Sequence, residues 1–402
     1  MLPTDAAGAT WSRVLGHLTP SLVAAVPRRH SSLFLLGALG TATIGLFLGV
    51  RHRPGADGTF WALGRRAPAP LTTGPLRSSL EDHVRVEALV GRYGRTPLDY
   101  FKTWPDKSYY FSPSGQSAIA YRVAWSVAVS LGDPVGPDHE LEPLVRAFLG
   151  FCSDNGWSTA FLQVLPNFLC VYRGLGLNVL KIGEHALVDL DRFATQTSRR
   201  RAFRRPSLHL AAEGCGVRLE SPPHPDALLD EAEEVSREWL SLPGRRERGF
   251  TLGRFDRGYL AQHSLAVLRD PAGRLVAFVN QVPGVRPGVA TIDLMRHRPE
   301  APNGAMDYLL GELLLRLRQQ GYRWFSLGLA PLAGVGTGRG GRLEERAVRE
   351  VYEHASAVFS FKGLRSYKAK FEPGWEERFL VYEHGHRGLL RTALALGRIT
   401  RA

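Results

Sequence analysis

The sequence predicts an α/β fold with α+β character, made of two consecutive units that follow one candidate transmembrane helix. Two observations carry this prediction. Strand-like and helix-like periodicities alternate from residue 81 onward, as they do in layered α/β domains. A similar order of strands and helices begins again near Val217, and the 402 residues are enough for two domains and a tail.

The composition indicates a polyanionic partner and a reducing compartment. The formal net charge is +13, which favours nucleic acid, anionic lipid or both as partners, although a general enrichment in arginine would give the same charge. The three cysteines Cys152, Cys170 and Cys215 form no C-x-x-C pair, and an odd number argues against a disulfide framework. No zinc-ligand spacing is present, so we predict no metal site.

The N-terminal part contains a candidate membrane span. Residues 1–30 are rich in Gly, Ala and Pro, and residues 31–50 then carry no charged side chain, which is long enough to cross a bilayer. Basic residues flank both ends, so the positive-inside rule does not orient the span. The stretch starts too late for a signal peptide, and a buried core helix is the alternative. Residues 51–80, rich in Pro, Gly and Arg, are predicted to be a juxtamembrane linker.

The first folded unit is predicted over residues 81–210. Its expected elements are a helix ending at Gly94, strands at 109–112 and 118–129, a helix at 141–153, a strand at 159–164, a short helix at 168–175 and a strand at 179–190. A basic helix follows at 195–205. Its arginines, which form either a solvated face or a phosphate-binding surface, are Arg199, Arg200, Arg201, Arg204 and Arg205.

The second unit is predicted over residues 211–386. It comprises a strand at 217–219, a helix at 226–240, a hairpin whose strands 263–269 and 275–282 meet at the Asp270–Gly273 turn, a strand at 324–329, a helix at 344–359 and a final basic helix and strand. The run GVGTGRGG at 334–341 lacks the G-K-[ST] ending of a phosphate-binding loop, so we predict a flexible loop. Residues 387–402 are predicted to form a basic amphipathic helix.

The centre of the second unit is residues 290–315, where a strand leads into a helix. Asn303 is a candidate cap of that helix, with Gly304 after it, and Asp307 lies in the first turn. Asp293 and Arg296, near the end of the strand, form either a surface ion pair or part of a site. Because regular alternation would place them on opposite faces, a shared site requires a bulge or an early end of the strand.

Several motifs in one order resemble a known family. They are Asp106-Lys107-Ser108 with the Gly132–Gly136 turn, Trp239, Asp293-Leu294-Met295-Arg296, Asn303-Gly304-Ala305-Met306-Asp307 and the run from Tyr367 to Trp375. Together they resemble the catalytic part of bacterial phosphatidylglycerol lysyltransferases, the multiple peptide resistance factors, over about residues 81–386. Those proteins usually carry many membrane spans, including a flippase part. This chain has one candidate span, so flipping of the product is not expected.

The resemblance implies two tandem acetyltransferase-like (GNAT) folds. It also implies transfer of an amino acid, lysine or alanine, from aminoacyl-tRNA to phosphatidylglycerol, which lowers the negative charge of the membrane. Because charged tRNA is cytoplasmic, we expect the folded units on the cytoplasmic side of a cell membrane crossed by one span. An aminoacyl ester is already activated, so no metal or cofactor is expected.

Candidate roles follow from that chemistry. Asp293 is expected to bind the donor's α-ammonium group or to orient the nucleophile, and Arg296 to hold phosphate or oxyanion charge. Lys368 and Lys370 suit the tRNA end or the lipid phosphate, although a solvated helix face would also explain them. The other residues expected to bind substrate are Asn303, Asp307, Lys362, Arg365 and Trp239.

Two other function classes remain open at the level of the sequence. An acyl-CoA-dependent N-acetyltransferase is disfavoured, because the R/Q-x-x-G-x-G/A loop is absent after Arg296. A non-catalytic membrane tether that binds nucleic acid would use the arginines of 195–205 but would leave the charges of 290–315 unexplained.

Overall fold

The computed structural model describes residues 78–331 and 361–401. Within these residues no helix combines the length and the apolar character needed to cross a bilayer. The candidate span at 31–50, most of the linker, the glycine-rich loop at 334–341 and the predicted helix at 344–359 lie outside the described residues.

The first half of the chain contributes five strands and five helices to the described fold. They are α1 (Leu80–Tyr93), β1 (Ser108–Phe111), β2 (Ala118–Ala124), β3 (Val127–Leu131), α2 (Asp138–Asp154), β4 (Ser158–Val164), α3 (Leu169–Gly174), β5 (Asn178–Asp189), α4 (Leu190–Thr195) and α5 (Arg201–Ala212), with 3₁₀ helices at Pro97–Thr103, Pro166–Phe168 and Thr197–Arg199. A capping box of Ser79 and Asp82 starts α1, and Gly94 ends it as predicted.

The second half has a similar order of elements, preceded by one additional strand. Its elements are β6 (Gly216–Glu220), α6 (Asp226–Ser241), α7 (Arg257–Ala261), β7 (Leu265–Arg269), β8 (Leu275–Val282), β9 (Val289–His297), α8 (Ala305–Gln319), β10 (Trp324–Pro331), α9 (Phe361–Ala369), β11 (Gly374–Tyr382) and α10 (Gly385–Ile399). The predicted hairpin across Asp270–Gly273 is confirmed, since β7 and β8 pair antiparallel on either side of it.

Three local predictions are wrong. The strand predicted at 118–129 is interrupted by a two-residue turn, because Trp125 and Ser126 have φ angles of 51° and 54°. The basic helix predicted at 195–205 is split, since the chain bends at Arg200 between a 3₁₀ turn and α5. Asn303 does not cap α8: the N-cap is Gly304, at φ 87°, with no side-chain hydrogen bond. A Cβ on Gly304 would lie 2.7 Å from Pro206 of α5, so close packing favours glycine there.

The strands form one sheet in the order β1-β2-β3-β4-β11-β5-β10-β9-β8-β7-β6. In each half, antiparallel strands lead to one parallel pair, β3 with β4 and β9 with β10. The last strands are exchanged: β11 of the second half lies between β4 and β5, and β5 of the first half lies between β11 and β10. The two predicted units therefore share one continuous sheet.

Alternation along β8 separates the two faces of this sheet. Ala277 and Val279 pack with α5 and α8, whereas Phe278 packs with α6 and Val282 with α10. The helices α6 and α10 therefore cover one face, and α5 and α8 cover the other. Surfaces on α5 and on α10 therefore lie on opposite sides of the sheet.

Candidate functional site

A bulge in β9 brings Asp293 and Arg296 to the same face. Val279 pairs with Met295 and Gln281 with Ile292, so Asp293 and Leu294 together oppose the single residue Asn280. The backbone N–H of Leu294 donates to the Asn280 side chain at 2.8 Å, which fixes the bulge. The irregularity that a shared site requires is thus present.

Asp293 is partly buried and is held by donors from a distant loop. The backbone N–H of Gly253 lies 3.0 Å from both carboxylate oxygens, and the Tyr259 hydroxyl donates to Oδ2 at 2.9 Å. Burial raises the pKa of Asp293 to about 6, although these hydrogen bonds and Arg296 oppose the rise. A side chain at position 253 would overlap the carboxylate and come within 2.9 Å of the Trp104 ring, so the loop requires glycine.

Arg296 is buried between an acid and an aromatic ring. Its Nη2 lies 3.0 Å from Oε2 of Glu247, and its guanidinium carbon stacks 3.9 Å from the centre of the Trp239 ring. Burial lowers the pKa of Arg296 and Glu247 opposes this, so the group remains a cation at neutral pH. Its Nε is buried and has no hydrogen-bond partner among the described residues. A buried donor without a partner is a place where a ligand oxygen can bind.

Aromatic side chains from the first half complete the surroundings of Asp293. Trp104 packs edge-on against Tyr259, with ring centres 5.0 Å apart, and the Tyr100 hydroxyl lies 2.9 Å from Nε2 of His263. Burial, followed by the Asp293 charge, raises the pKa of Tyr100 and of Tyr259, so both hydroxyls stay protonated at neutral pH. Both halves of the chain therefore contribute to this group.

A buried ion network holds the 3₁₀ helix that carries Tyr100 and is followed by Trp104. Lys102 lies 2.6 Å from Asp99 and donates to the backbone carbonyl of Asp133. The Asp133 carboxylate accepts hydrogen bonds from Leu165 and Tyr172, and burial raises its pKa to about 6. We assign this network a positioning role, because it fixes the segment that reaches into the second half.

Lys368 lies in a second buried group. Its Nζ donates to the Leu329 carbonyl at 2.7 Å, and burial lowers its pKa to about 8. The neighbouring His185 shares a 2.9 Å hydrogen bond with Ser326. Burial first, and then the positive charges of Arg378 and Lys368, lower the pKa of His185 to about 3, so this imidazole is neutral.

The other residues expected to bind substrate lie apart from Asp293. Arg365 pairs with Glu184 at 3.0 Å and stacks 4.6 Å from the ring centre of Trp375. Lys370 forms a 2.9 Å ion pair with Asp307. Asn303 is exposed, and Lys362 belongs to α9. Among the described side chains, no hydrogen bond or ion pair joins Arg365, Lys370, Asp307 or Asn303 to Asp293 or Arg296.

Four of the five predicted arginines line one groove on α5. The groove has a volume of about 510 Å³, and its lining residues are Arg199, Arg201, Arg204, Arg205, Leu208 and His209. Arg200 differs, because it forms an ion pair with Glu372. Pro206, which follows Arg205 in α5, packs on Gly304 in the connection between β9 and α8.

Residues that the sequence did not reveal hold the centre of the site. Gly253, Glu247 and Tyr259 contact Asp293 or Arg296 from a loop and a short helix about forty residues earlier in the chain. The feature of the sequence that could have indicated them is the run PGRRERGFTLGRFD, which contains an acidic residue and several glycines between arginines. Among the described residues no group of His, Cys, Asp and Glu side chains is suited to a metal ion.

Comparison with known proteins identifies a family and two similar structures. The family model described as "Phosphatidylglycerol lysyltransferase, C-terminal" matches residues 87–382. The structure of L-PGS from Bacillus licheniformis is 34% identical, with a TM-score of 0.69 over 79% of this chain and 95% of that one. The C-terminal domain of a putative lysylphosphatidylglycerol synthetase from Agrobacterium fabrum is 31% identical, with a TM-score of 0.69 over 80% and 97% of the two chains.

Two curated relatives are similar over the same region. The phosphatidylglycerol lysyltransferase of Staphylococcus epidermidis is 34% identical over 315 residues, and that of Bacillus subtilis is 33% identical over 301 residues. The match covers 78% and 75% of this chain but only 37% and 35% of those proteins. The chain thus spans little more than a third of the length of the curated relatives it matches.

Proposed function

We propose a function from the premise that the chain belongs to the phosphatidylglycerol lysyltransferase family, whose C-terminal part matches residues 87–382. The proposed reaction transfers an aminoacyl group from charged tRNA to a hydroxyl of phosphatidylglycerol. The observation that carries the proposal is the Asp293–Arg296 group. It combines a carboxylate whose pKa is near neutrality with a buried guanidinium that keeps a free donor. Acyl transfer to a hydroxyl needs one group of each kind.

The proposed reaction requires only proton transfer and charge stabilisation from the protein. The lipid hydroxyl attacks the carbonyl carbon of the aminoacyl ester, and Asp293 accepts the hydroxyl proton. Arg296 stabilises the oxyanion of the tetrahedral intermediate, for which its unpartnered Nε is available. As the intermediate collapses, the bond from the carbonyl carbon to the tRNA ribose oxygen breaks, and Asp293 returns the proton to that oxygen.

The surroundings of Arg296 suit this role. Glu247 and Trp239 fix the guanidinium from two sides, so little reorganisation is needed when the oxyanion forms. Gly253 and Tyr259 hold the carboxylate of Asp293 in one orientation. The aromatic rings of Trp104 and Tyr259 reduce access of water, which would otherwise hydrolyse the activated ester.

Transfer from charged tRNA is tested with the purified chain, phosphatidylglycerol vesicles, and lysyl-tRNA or alanyl-tRNA carrying a labelled amino acid. We expect labelled aminoacyl-phosphatidylglycerol with one of the two donors, and none after ribonuclease treatment. Labelled acetyl transfer from acetyl-CoA, with no product from charged tRNA, would move the chain to the N-acetyltransferase class. Absence of any transfer together with tight binding of tRNA would favour the non-catalytic tether.

A donor without an α-amino group distinguishes two roles of Asp293, proton transfer and binding of the donor's ammonium group. The variant Asp293→Asn is compared with Asp154→Asn, whose carboxylate is exposed, using normal aminoacyl-tRNA and a donor whose α-amino group is replaced by hydroxyl. A proton-transfer role predicts that Asp293→Asn loses turnover with both donors. If the variant is impaired only with the normal donor, Asp293 binds the ammonium group instead.

We assign the groove of α5 to tRNA phosphates. Four arginines line it and can pair with several phosphates of one RNA strand. Replacing all four with glutamine should flatten the dependence of tRNA affinity on salt by roughly three log–log units. Arg200→Gln is the matched control, because Arg200 is already paired with Glu372. An unchanged slope in the fourfold variant would make the groove an ordinary solvated surface.

The fold and location complete the proposal. We interpret the two repeats of antiparallel strands followed by a helix-linked parallel pair as tandem acetyltransferase-like (GNAT) folds that exchange their last strands. We place the chain at the cell membrane through residues 31–50, with the folded part in the cytoplasm, where charged tRNA occurs. Removal of residues 1–55 should release the protein at high salt, and retention under that condition would contradict the anchor.

A further inference from the structure

The turn between β2 and β3 carries an exposed tryptophan in an unfavourable backbone conformation. Trp125 has a φ of 51°, Ser126 has a φ of 54°, and the Trp125 side chain is 70% exposed. Two-residue turns of this kind favour Asn-Gly, because bulky side chains are strained at positive φ. Since the exposed ring gains little from packing, folding stability does not explain a tryptophan at this position.

The C-terminal helix α10 presents a basic stripe to solvent. Arg387, Arg391, Leu394 and Arg398 follow helical spacing and are exposed, while the opposite face packs on the sheet. The chain has no acidic residue from Gly385 to its end. The exposed face is therefore cationic, with an apolar side chain in its middle.

The turn and the start of α10 lie side by side. Ser158 donates its backbone N–H to the Ser126 carbonyl at 2.9 Å, and the next residue, Thr159, donates its own to the Glu383 carboxylate at 2.6 Å. Ala124, next to Trp125, also packs against the cluster that contains the buried side of α10. Trp125 and the first turn of α10 thus belong to one continuous surface.

We propose that this surface, formed by Trp125 and the outward face of α10, docks on an anionic lipid bilayer. Tryptophan favours the membrane–water interface, and arginines beside it are attracted to anionic head groups. Leu394, exposed among the arginines, can insert into the same interface as the exposed Trp125. The sheet separates this surface from the arginine groove of α5, so lipid and tRNA can bind at the same time.

The end of α10 connects this surface to the loop that builds the site. The Thr400 carbonyl accepts a hydrogen bond from the Gly249 backbone at 3.1 Å, and Arg401 forms a β-bridge with Arg248. The same loop carries Glu247, which pairs with Arg296, and Gly253, which binds Asp293. The inference deepens the proposed function, because docking through α10 would hold the Asp293–Arg296 group at the lipid that supplies the acceptor.

The fluorescence of a dye attached to α10 tests docking without a measurement of turnover. The full chain with Cys170→Ser and Leu394→Cys is labelled with an environment-sensitive dye, since Cys152 and Cys215 are buried. With vesicles containing phosphatidylglycerol we expect a blue-shifted emission that nitroxide lipids quench, and much less quenching in phosphatidylcholine alone or at high salt. Leu208→Cys on α5 is the matched control, because Leu208 is also exposed among arginines but lies on the other face.

Quenching at position 208 equal to that at 394, or none at 394, would overturn the proposal. A second variant, Trp125→Asn, keeps the test independent of folding, because asparagine tolerates positive φ and should not lower the melting temperature. It should weaken the lipid quenching of the dye at position 394 several-fold and leave tRNA affinity unchanged, and the reverse pattern would assign the surface to RNA. Normal aminoacyl transfer without docking would refute this inference alone, whereas docking without transfer would refute only the proposed function.

Discussion

Replacing Asp293 with asparagine should raise the stability of the protein and lower its activity. The change is nearly isosteric, and the asparagine oxygen can still accept hydrogen bonds from Gly253 and Tyr259. It removes a charge that the protein buries at a cost. We therefore expect the variant to be more stable than the wild type at neutral pH, while turnover falls by roughly 10²–10⁴-fold because the proton acceptor is lost.

The size of the gain follows from the pKa of Asp293. Burial raises this pKa from 3.8 to about 6, so the folded protein binds more protons than the unfolded chain between those values. The wild type therefore loses stability as pH rises through this window, by up to roughly 3 kcal/mol once both states are ionised. Asparagine does not titrate, so the variant should lack that loss.

The assay is urea unfolding of both proteins at about pH 4 and about pH 7.5, together with turnover on charged tRNA and phosphatidylglycerol. The variant should gain on the wild type by about 2–3 kcal/mol between the two conditions. The matched control is Asp154→Asn, which changes an exposed carboxylate. Equal pH dependence in Asp293→Asn and the wild type, or near-normal turnover of the folded variant, would refute this account of the site.

Three further predictions concern Arg296 and Gly253, which adjoin Asp293, and the separate buried lysine Lys368. Arg296→Lys should lower turnover roughly 10²-fold or more, because a lysine keeps the charge but loses the planar stack on Trp239, and steady-state kinetics would show it. Gly253→Ala should lower turnover by displacing the carboxylate, whereas Gly150→Ala in the open middle of α2 should be active and more stable by about 0.5–1 kcal/mol. Burial lowers the pKa of Lys368 to about 8, so this group should contribute a rise in stability with pH from about 8 to 10.5, and urea unfolding of Lys368→Met should show a smaller rise than that of the wild type.

The elements of the fold were predictable where one physical signal dominated. The spacing of apolar residues predicted the bounds of α6 and β8 to within one residue. The helix α6 buries one face and the strand β8 buries both, so the apolar pattern is regular in each. The turn at Trp125 was missed because its residues are not those that favour positive φ. The cap at Asn303 failed for a related reason, since tight packing of Gly304 on Pro206 places the N-cap one residue later.

The site was predictable only in part. Two opposite charges within one strand indicated Asp293 and Arg296, and the alternation of a strand gave the condition that a bulge must meet. The groups that hold them could not be found in this way, because Gly253, Glu247 and Tyr259 reach β9 through tertiary structure. The sequence around a strand does not show which distant loop will pack on it.

The exchange of strands explains how the first half contributes to the surroundings of the candidate site. β5 leaves the first half to pair with β10, and β11 returns from the second half to pair with β4. The halves are thereby fixed against each other, so the 3₁₀ helix of the first half keeps Trp104 against Tyr259. Tyr259 in turn donates to Asp293, and burial raises the pKa of both groups. A fragment that begins at residue 211 would therefore retain Asp293 and Arg296 but lose the enclosure that brings the carboxylate pKa near neutrality.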